Sequence, residues 1–391
     1  MKKYVAVAAA VIMQACLGGI YAWSAFVPSL QQQFGYSSAQ TQIVFGSTIG
    51  LLTVIMLFAG RLQDRIGPRP LGVLAGIFLG IQYISAGYWG NHFYPLWAIM
   101  SGFGGLAVGC GYVSAVATGI KWFPHRKGFI SGLTVAGYGG GAILLQTIAQ
   151  GLLECGWSTL EIFKLTGCTY GPVAVIMGFL LFTPALQKKD IHPNYSLGIL
   201  LRDRRYWTLV LGIFCGTFPG LALIGNLEPI GLAAGVPVAM AAGAISVLAA
   251  GNAAGRIAWG TIQDRAGFRI TSLACLSLAS VAAGLFLLVN NDPWFLVGVS
   301  AFLGFCYGGS LSLYAAQAAQ HFGVNQFGST YPMVVLAHGA AALTGPAIMG
   351  WTRDLTGSFS AGLILIAMVS VAGVAGYAWL TRPQPAQEVL Q

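Results

Sequence analysis

Long apolar segments recur along the whole chain, from Tyr4 to Leu380, and short polar joints separate them. Each segment is about 20 residues long, which as a helix spans the roughly 30 Å of hydrocarbon in a bilayer. The pattern therefore predicts an all-α membrane protein with twelve transmembrane helices. Their predicted bounds are 4–28, 41–60, 70–89, 95–121, 129–151, 162–183, 206–231, 238–260, 270–290, 293–320, 331–350 and 360–380.

The composition excludes a soluble globular protein. Only 7% of the 391 residues are charged and 56% are hydrophobic, which leaves too few charges to cover a water-exposed surface. The first apolar segment, Tyr4 to Phe26, is too long for a cleavable signal peptide, so we expect it to stay as a helix. The seven cysteines fall mostly in apolar segments without metal-ligand spacing, and we expect no metal and no cofactor.

The distribution of basic residues predicts the orientation in the membrane. The formal net charge is +9, but the lysines and arginines lie in alternate joints, which is a topology signal, so we expect no nucleic acid partner. Placing the N-terminus in the cytoplasm leaves only Lys164 and Arg353 outside among the cations of the joints. We therefore expect a multi-pass protein of the bacterial inner membrane, with both termini cytoplasmic.

A ten-residue joint occurs twice, after the second and after the eighth predicted helix. Gly60, Asp64, Arg65, Gly67 and Arg69 of the first copy recur 200 positions later as Gly260, Asp264, Arg265, Gly267 and Arg269. The same offset pairs Gly139 with Gly339, so the repeat extends well beyond the joint. Duplication of a six-helix unit explains this spacing. It predicts an N-terminal bundle at 1–183, a cytoplasmic linker at 184–205 and a C-terminal bundle at 206–391.

The repeated joint also predicts a gating element. Asp64 and Asp264 lie at cytoplasmic helix ends, where each carboxylate can accept hydrogen bonds from arginines or from the N-terminal amides of a neighbouring helix. Such contacts lock one transport state and break in another. The alternative is a polar turn whose arginines only set the topology, and the recurrence of the pattern at equal spacing favours the lock.

Arg256 is the one lysine or arginine deep inside a predicted helix. An arginine at the bilayer midplane costs roughly 2.5 to 3.5 kcal/mol on insertion scales, so a retained one has a task or a partner. Asn252 precedes it by four residues on the same helical face, and we expect both side chains to bind substrate. A guanidinium without a nearby carboxylate in the sequence suits an anionic substrate held by two parallel hydrogen bonds. The alternative is an arginine that snorkels to the cytoplasmic boundary.

Two further ionisable side chains lie in predicted helices. His338, on the eleventh helix, is a candidate to hydrogen-bond substrate or to carry a proton, although an isolated helix histidine more often serves packing. Glu228 precedes Pro229 near the predicted outer boundary of the seventh helix, and we interpret it as a gate or solvated residue.

Tyrosine hydroxyls are the remaining candidates for substrate contacts. Tyr112 lies on the fourth helix, Tyr21 on the first, and Tyr307 and Tyr314 lie one heptad apart on the tenth. Aromatic residues in membrane helices usually serve packing or the interfacial belts, and this is the alternative role for each of these tyrosines.

The chain resembles the major facilitator superfamily, in which the repeated joint occurs in both halves. This resemblance implies that helices 1, 4, 7 and 10 line a central cavity, that helices 3, 6, 9 and 12 face lipid, and that transport proceeds by rocking of the two halves. No catalytic triad or metal cluster is visible in the sequence, so we expect the protein not to be an enzyme.

Within the superfamily, the chain is similar to the branch of monocarboxylate transporters and oxalate:formate antiporters. The matching features are Gly19-Ile20-Tyr21-Ala22-Trp23-Ser24, Tyr112 with the joint Lys121-Trp122-Phe123-Pro124, Arg256, and Asp354-Leu355-Thr356-Gly357. The resemblance implies that Arg256 pairs with the substrate carboxylate. Two features differ from the branch: the eleventh helix offers His338 where oxalate antiporters have a lysine, and Asn252 stands where animal monocarboxylate transporters have a proton-coupling aspartate.

These features predict a bacterial L-lactate transporter-like protein, a proton-coupled symporter of small monocarboxylates. One fixed cation suits a monoanion, and the proton travels on His338 or arrives with the substrate, whose neutralisation weakens its binding to Arg256. The expected partners are a small organic acid anion, a proton and the lipid bilayer, and the chain is expected to be monomeric. The alternatives are an oxalate/formate-type anion antiporter and, more remotely, a membrane sensor that binds ligand without transport.

Overall fold

The computed structural model describes residues 2–184, 197–323 and 327–382. Twelve long helices run through these residues, and they are numbered α1 to α12 in chain order. Their bounds are α1 Lys2–Gly18, α2 Ser38–Ile66, α3 Pro68–Trp89, α4 Phe93–Trp122, α5 Lys127–Glu154, α6 Thr159–Leu180, α7 Arg204–Ile224, α8 Val238–Ala266, α9 Phe268–Leu285, α10 Pro293–Phe322, α11 Phe327–Thr356 and α12 Ser360–Leu380.

All twelve predicted membrane spans are confirmed as helices long and apolar enough to cross a bilayer. The outside of the bundle is apolar, with large side chains such as Phe58, Phe179, Val281 and Val371 more than half exposed. Side chains of this kind are stable in such positions only against lipid, because water would penalise so much exposed apolar surface. The protein is therefore a multi-pass membrane protein of the all-α class.

The repeated joint is mostly helical, which the hydropathy pattern did not predict. α2 and α8 continue past the predicted ends at 60 and 260, to Ile66 and Ala266, and single glycines then connect them to α3 and α9. These glycines, Gly67 and Gly267, have φ of 85° and 81°, a conformation that side chains disfavour. Hydropathy marks where a helix leaves the apolar layer, and a helix continues beyond that point until its backbone changes direction.

Two predicted helices are interrupted at the opposite end of the bundle. The span predicted at 4–28 is α1 followed by a 3-10 segment, Gly19–Ala25, and a short helix, Val27–Phe34. The span predicted at 206–231 is α7 followed by a separate short helix, Leu227–Ala233. Each short helix has a proline in its first turn, where the missing N–H leaves no hydrogen bond unmade, so each begins a new helix.

The linker predicted at 184–205 is described only in part, because residues 185–196 lie outside the described residues. The side chain of Asp354, after the eleventh predicted span, also lies outside them. The described part contains a short helix, Leu197–Leu200, and then Asp203, whose carboxylate accepts a hydrogen bond from the Arg205 amide at the start of α7 (2.7 Å). The division into two bundles at this linker stays a prediction.

The first six and last six long helices pack closely at the end of the bundle that carries Gly67 and Gly267, which we call the motif face; the other end is the far face. α5 packs along α8 and α2 packs along α11. Gly128 and Gly260 meet so closely that a Cβ atom on either would overlap the carbonyl oxygen of the other. The motif face is therefore closed.

Both repeated aspartates form hydrogen bonds across this face. The Asp264 carboxylate accepts from the amides of Gly128 (3.1 Å) and Phe129 (2.9 Å) in the first turn of α5. The Asp64 carboxylate accepts from the hydroxyl of Ser329 (2.9 Å) in the first turn of α11. Ser329 lies 200 positions after Phe129, so both copies of the joint contact the first turn of a helix at repeat-related positions, one through backbone amides and the other through a hydroxyl. A carboxylate is favoured there because the N-terminal amides of a helix carry partial positive charge.

We expect Asp264→Ala to open the motif face more often. An exposed carboxylate at a helix N-terminus contributes about 1 kcal/mol, so its loss shifts the populations of the closed and open states about fivefold. In a background without native cysteines, the labelling rate of Ser131→Cys by a maleimide should rise accordingly, because Ser131 is buried between α5 and α10.

Asp292→Ala is the matched control for this experiment. The Asp292 carboxylate also accepts from a helix amide, that of Trp294 (2.9 Å), but both residues belong to the start of α10. Labelling at position 131 should not change in this variant. An equal rise in both variants would mean that general loosening of the bundle, and not loss of the connection to α5, exposes the cysteine.

Candidate functional site

Arg256 is fully buried in α8, with an exposed fraction of 0%. Its Nε donates to the Asn252 carboxamide oxygen at 2.6 Å, which the spacing of four residues along one helix permits. Its two terminal nitrogens, Nη1 and Nη2, make no hydrogen bond to any residue that the structure describes. The snorkelling alternative is therefore wrong for the described state, because the guanidinium reaches neither face of the bundle.

Aromatic rings surround the guanidinium. The Tyr138 ring lies 5.8 Å from Arg256 Cζ, within the range of a cation–π contact. Tyr112 and Tyr21 each pack edge-on to Tyr138, at 6.0 and 5.2 Å between ring centroids. The Tyr112 hydroxyl is close to Arg256 and to Tyr331 without forming a well-aligned hydrogen bond. These contacts place several hydroxyl groups within reach of a ligand bound to the guanidinium.

A small cavity, which we call the central cavity, lies against Arg256. Its polar walls are Tyr21, Tyr112, Tyr138, Arg256 and His338; its apolar walls are Ile49, Leu52, Met56, Val108, Leu311 and Val335. Its volume is about 20 Å³, enough for a single water molecule. These walls come from the 3-10 segment after α1 and from α2, α4, α5, α8, α10 and α11. The residues converge from both halves, but the cavity must expand to admit an organic solute.

The charge of Arg256 has no counter-charge on these walls. None of the described residues that line the central cavity is an aspartate or a glutamate. His338 lies on the same wall and is 4% exposed, and its Nδ1 has no hydrogen bond to a described residue. A charge buried without a partner is costly, and an anion bound against Arg256 would offset that cost.

The structure brings most of the sequence-predicted residues together but not all. Tyr307 lies beside the central cavity, and its hydroxyl is 2.8 Å from that of Tyr21, joining α10 to the 3-10 segment after α1. Asn252 orients Arg256. Tyr314 is not near this cavity: its ring packs against Phe268 (5.6 Å) and Tyr377 (6.3 Å).

A second cavity opens toward the far face, and we call it the vestibule. It has a volume of about 220 Å³. Its walls include Gln31, Asn226, Glu228 and Arg353, and Tyr21 lines both this cavity and the central cavity. Partial burial raises the pKa of Glu228, because a carboxylate loses hydration there. The Tyr21–Tyr307 hydrogen bond therefore lies at the boundary between the vestibule and Arg256.

Two tyrosines near Arg256 were not predicted as site residues. Tyr138 stands 200 positions before His338, and this repeat relation was the available signal. Tyr331 begins the predicted eleventh span, where hydropathy suggests a boundary position, yet it is fully buried and its hydroxyl donates to the carbonyl of Leu311 (3.2 Å). No sequence pattern marks Tyr331 as a neighbour of the guanidinium.

We expect Arg256→Met to raise the thermal stability of the ligand-free protein. Replacing an uncompensated buried charge with an apolar side chain of similar length is neutral or stabilising by about 1–4 kcal/mol. Asn252→Ala should act in the opposite direction, because it leaves Arg256 Nε without its acceptor. Thermal unfolding in detergent compares the two. A lower unfolding temperature for Arg256→Met would instead identify the arginine as part of the structural framework.

Comparisons with known proteins cover nearly the whole chain. The family model of the Major Facilitator Superfamily matches residues 8–331 and residues 230–390. The chain is 27% identical over 352 residues to an oxalate:formate antiporter of Oxalobacter formigenes, with 86% of this chain and 81% of that protein covered. It is 23% identical over 378 residues to monocarboxylate transporter 11 of Homo sapiens, with 92% and 78% covered.

Among solved structures, the fold is similar to FucP, a major facilitator superfamily transporter crystallised in the outward conformation. The TM-score is 0.73, and the alignment covers 98% of this chain and 100% of that one. Sequence identity is 16%, so this likeness concerns the fold alone.

Proposed function

The chain belongs to the major facilitator superfamily, and we propose that it is a secondary active transporter of small monocarboxylates of the lactate or pyruvate type. The observation that carries the proposal is the buried guanidinium of Arg256, whose two terminal nitrogens have no partner among the described residues. A carboxylate can accept two parallel hydrogen bonds from these nitrogens and neutralise their charge.

The surroundings of Arg256 support a small substrate with one carboxylate. Arg256 is the only lysine or arginine among the described residues that line the central cavity, so one negative charge is matched. The Tyr112 and Tyr21 hydroxyls can bond the remaining oxygen atoms of a short hydroxy acid or keto acid, and the aliphatic walls suit its methyl group. The similarity to proteins named as an oxalate:formate antiporter and as a monocarboxylate transporter supports the same class of substrate.

The transport cycle follows from the two closures. In the described state, the aspartate contacts close the motif face and the Tyr21–Tyr307 hydrogen bond separates the vestibule from the central cavity. We propose that the bundles 1–183 and 206–391 rock about Arg256 so that one closure opens at a time. The basic joints at the motif face support a cytoplasmic position for that face and for both termini, in a bacterial inner membrane.

Proton coupling is part of this proposal. A protonated acid binds Arg256 more weakly than its anion, so proton delivery to the bound carboxylate favours its release. His338 lines the same cavity and has a ring nitrogen without a partner among the described residues, so it is the candidate to exchange the proton with the substrate. Asn252 cannot ionise, and its contact with Arg256 Nε supports a role in positioning the guanidinium.

The alternative function is exchange of anions of the oxalate or formate type. The 27% identity to an oxalate:formate antiporter favours it. The presence of a single guanidinium at the central cavity argues against a dianion, because a second carboxylate would have only His338 as a possible cationic partner. Counterflow that does not depend on a proton gradient is the signature of this alternative.

We expect proteoliposomes containing the protein to take up labelled L-lactate faster when a proton gradient is directed inward. Arg256→Lys keeps the positive charge but loses the two parallel N–H groups, so kcat/KM should fall about 10- to 100-fold. Oxalate should compete weakly. Exchange that ignores the gradient and is blocked by oxalate would overturn the symport proposal in favour of the antiporter.

A pair of tyrosine variants tests the position of the site. Tyr112→Phe removes a hydroxyl that lines the central cavity, and it should raise KM about threefold to tenfold, as expected for one hydrogen bond of roughly 1 kcal/mol. Tyr314→Phe is the matched control, because Tyr314 packs against Phe268 and Tyr377. It should leave KM unchanged. The reverse result would move the binding site along α10, away from Arg256.

A further inference from the structure

The vestibule carries two charged side chains of opposite sign. Arg353 extends from the last turn of α11, and Glu228 extends from the short helix that follows α7. Tyr21 is the other titratable side chain on the vestibule walls that the structure describes. Neither charged side chain forms an ion pair or a hydrogen bond with another residue in the described ranges. The vestibule therefore holds separate charges in contact with solvent.

The position of Arg353 leaves its donors available. Its Cζ atom stacks 4.6 Å above the ring of Phe359, in the segment between α11 and α12. Stacking occupies one face of the planar guanidinium and restrains it, whereas the N–H donors lie in its plane and point away from the ring. An anion can therefore approach the edge of this guanidinium without breaking its contact with Phe359.

The two guanidinium groups lie on either side of one closure. Arg353 borders the vestibule, Arg256 borders the central cavity, and Tyr21 borders both. A carboxylate that moves inward from the far face meets Arg353 first, then the Tyr21–Tyr307 hydrogen bond, and then Arg256.

We propose that Arg353 forms a staging site, which binds the substrate carboxylate in the vestibule before the Tyr21–Tyr307 closure opens. Glu228 faces the same vestibule and repels a second carboxylate, so the staging site favours monocarboxylates over dicarboxylates. This inference rests on the proposed function of the chain as a monocarboxylate transporter.

The physical effect is electrostatic and depends on salt. A charge in a cleft raises the local concentration of an oppositely charged solute and thereby its rate of entry. The Debye length is about 8 Å at physiological ionic strength and about 3 Å at 1 M salt, so an exposed cation such as Arg353 loses most of this effect at high salt. A fully buried cation such as Arg256 is screened far less.

The test measures initial rates of L-lactate uptake into right-side-out membrane vesicles, at fixed pH and at low and high salt. Arg353→Gln should raise KM about threefold to tenfold at low salt with an unchanged maximal rate, and the difference should fall below about twofold at high salt. Arg353→Lys keeps the charge and should retain most of the affinity. Glu228→Gln should lower KM about twofold to threefold and make oxalate a stronger competitor.

Lys164→Gln is the matched control. Lys164 is a cation in α6 toward the same face, with its Nζ 4.3 Å from the ring centre of Tyr88, but it is not on the vestibule wall. This variant should leave KM unchanged at every salt concentration. Equal unfolding temperatures of Arg353→Gln and wild type establish that the variant is folded.

The possible failures are distinguishable. Uptake that is sensitive to Arg256→Lys, but whose KM is unaffected by Arg353→Gln or shifted equally at all salt concentrations, overturns the staging site and leaves the proposed function standing. An increase in KM for Glu228→Gln overturns the repulsive role of that carboxylate. Absence of monocarboxylate uptake by the wild type overturns the proposed function, and the staging site with it.

Discussion

The central constraint on this molecule is a positive charge buried without an opposite charge beside it. Burial of Arg256 in the bundle costs free energy. No described carboxylate on the walls of the central cavity offsets this cost. Asn252 satisfies Nε and fixes the plane of the guanidinium, and Tyr138 offers its ring face. These neutral partners hold the group in place without cancelling its charge, which leaves the compensation to a ligand.

Contacts on both sides of that charge close the protein around it. At the motif face, α5 and α8 approach until Gly128 and Gly260 touch. The carboxylates of Asp264 and Asp64 accept hydrogen bonds from groups in the first turns of α5 and α11. Toward the far face, a single hydrogen bond between Tyr21 and Tyr307 lies between the vestibule and the central cavity. Each closure joins a part of the chain among the first six long helices to one among the last six.

The sequence predicted those features that depend on local pattern. The run of apolar segments located the twelve helices, the repeat located both aspartate contacts, and the isolated arginine located the centre of the candidate site. The sequence did not predict how deep each side chain lies in the bundle or which side chains it contacts. Tyr307 and Tyr314 lie on one face of α10 by their spacing, but one heptad separates them by about 10 Å along the axis. Only Tyr307 reaches the level of Arg256, and Tyr314 meets α9 and α12. Helical periodicity specifies a direction around the axis and leaves the partners at each level to tertiary packing.

Tyr21 belongs to two compartments, and this has a consequence for how the sequence can change over evolutionary time. The same side chain forms part of the vestibule, part of the central cavity and one half of the bond between them. A substitution of Tyr21 changes the vestibule wall, the wall of the central cavity and the hydrogen bond to Tyr307 at the same time, so none of the three can change independently at this position. Arg353 borders the vestibule alone, so under the proposed staging role a substitution at that position changes the salt dependence of substrate entry while the contacts around Arg256 stay intact.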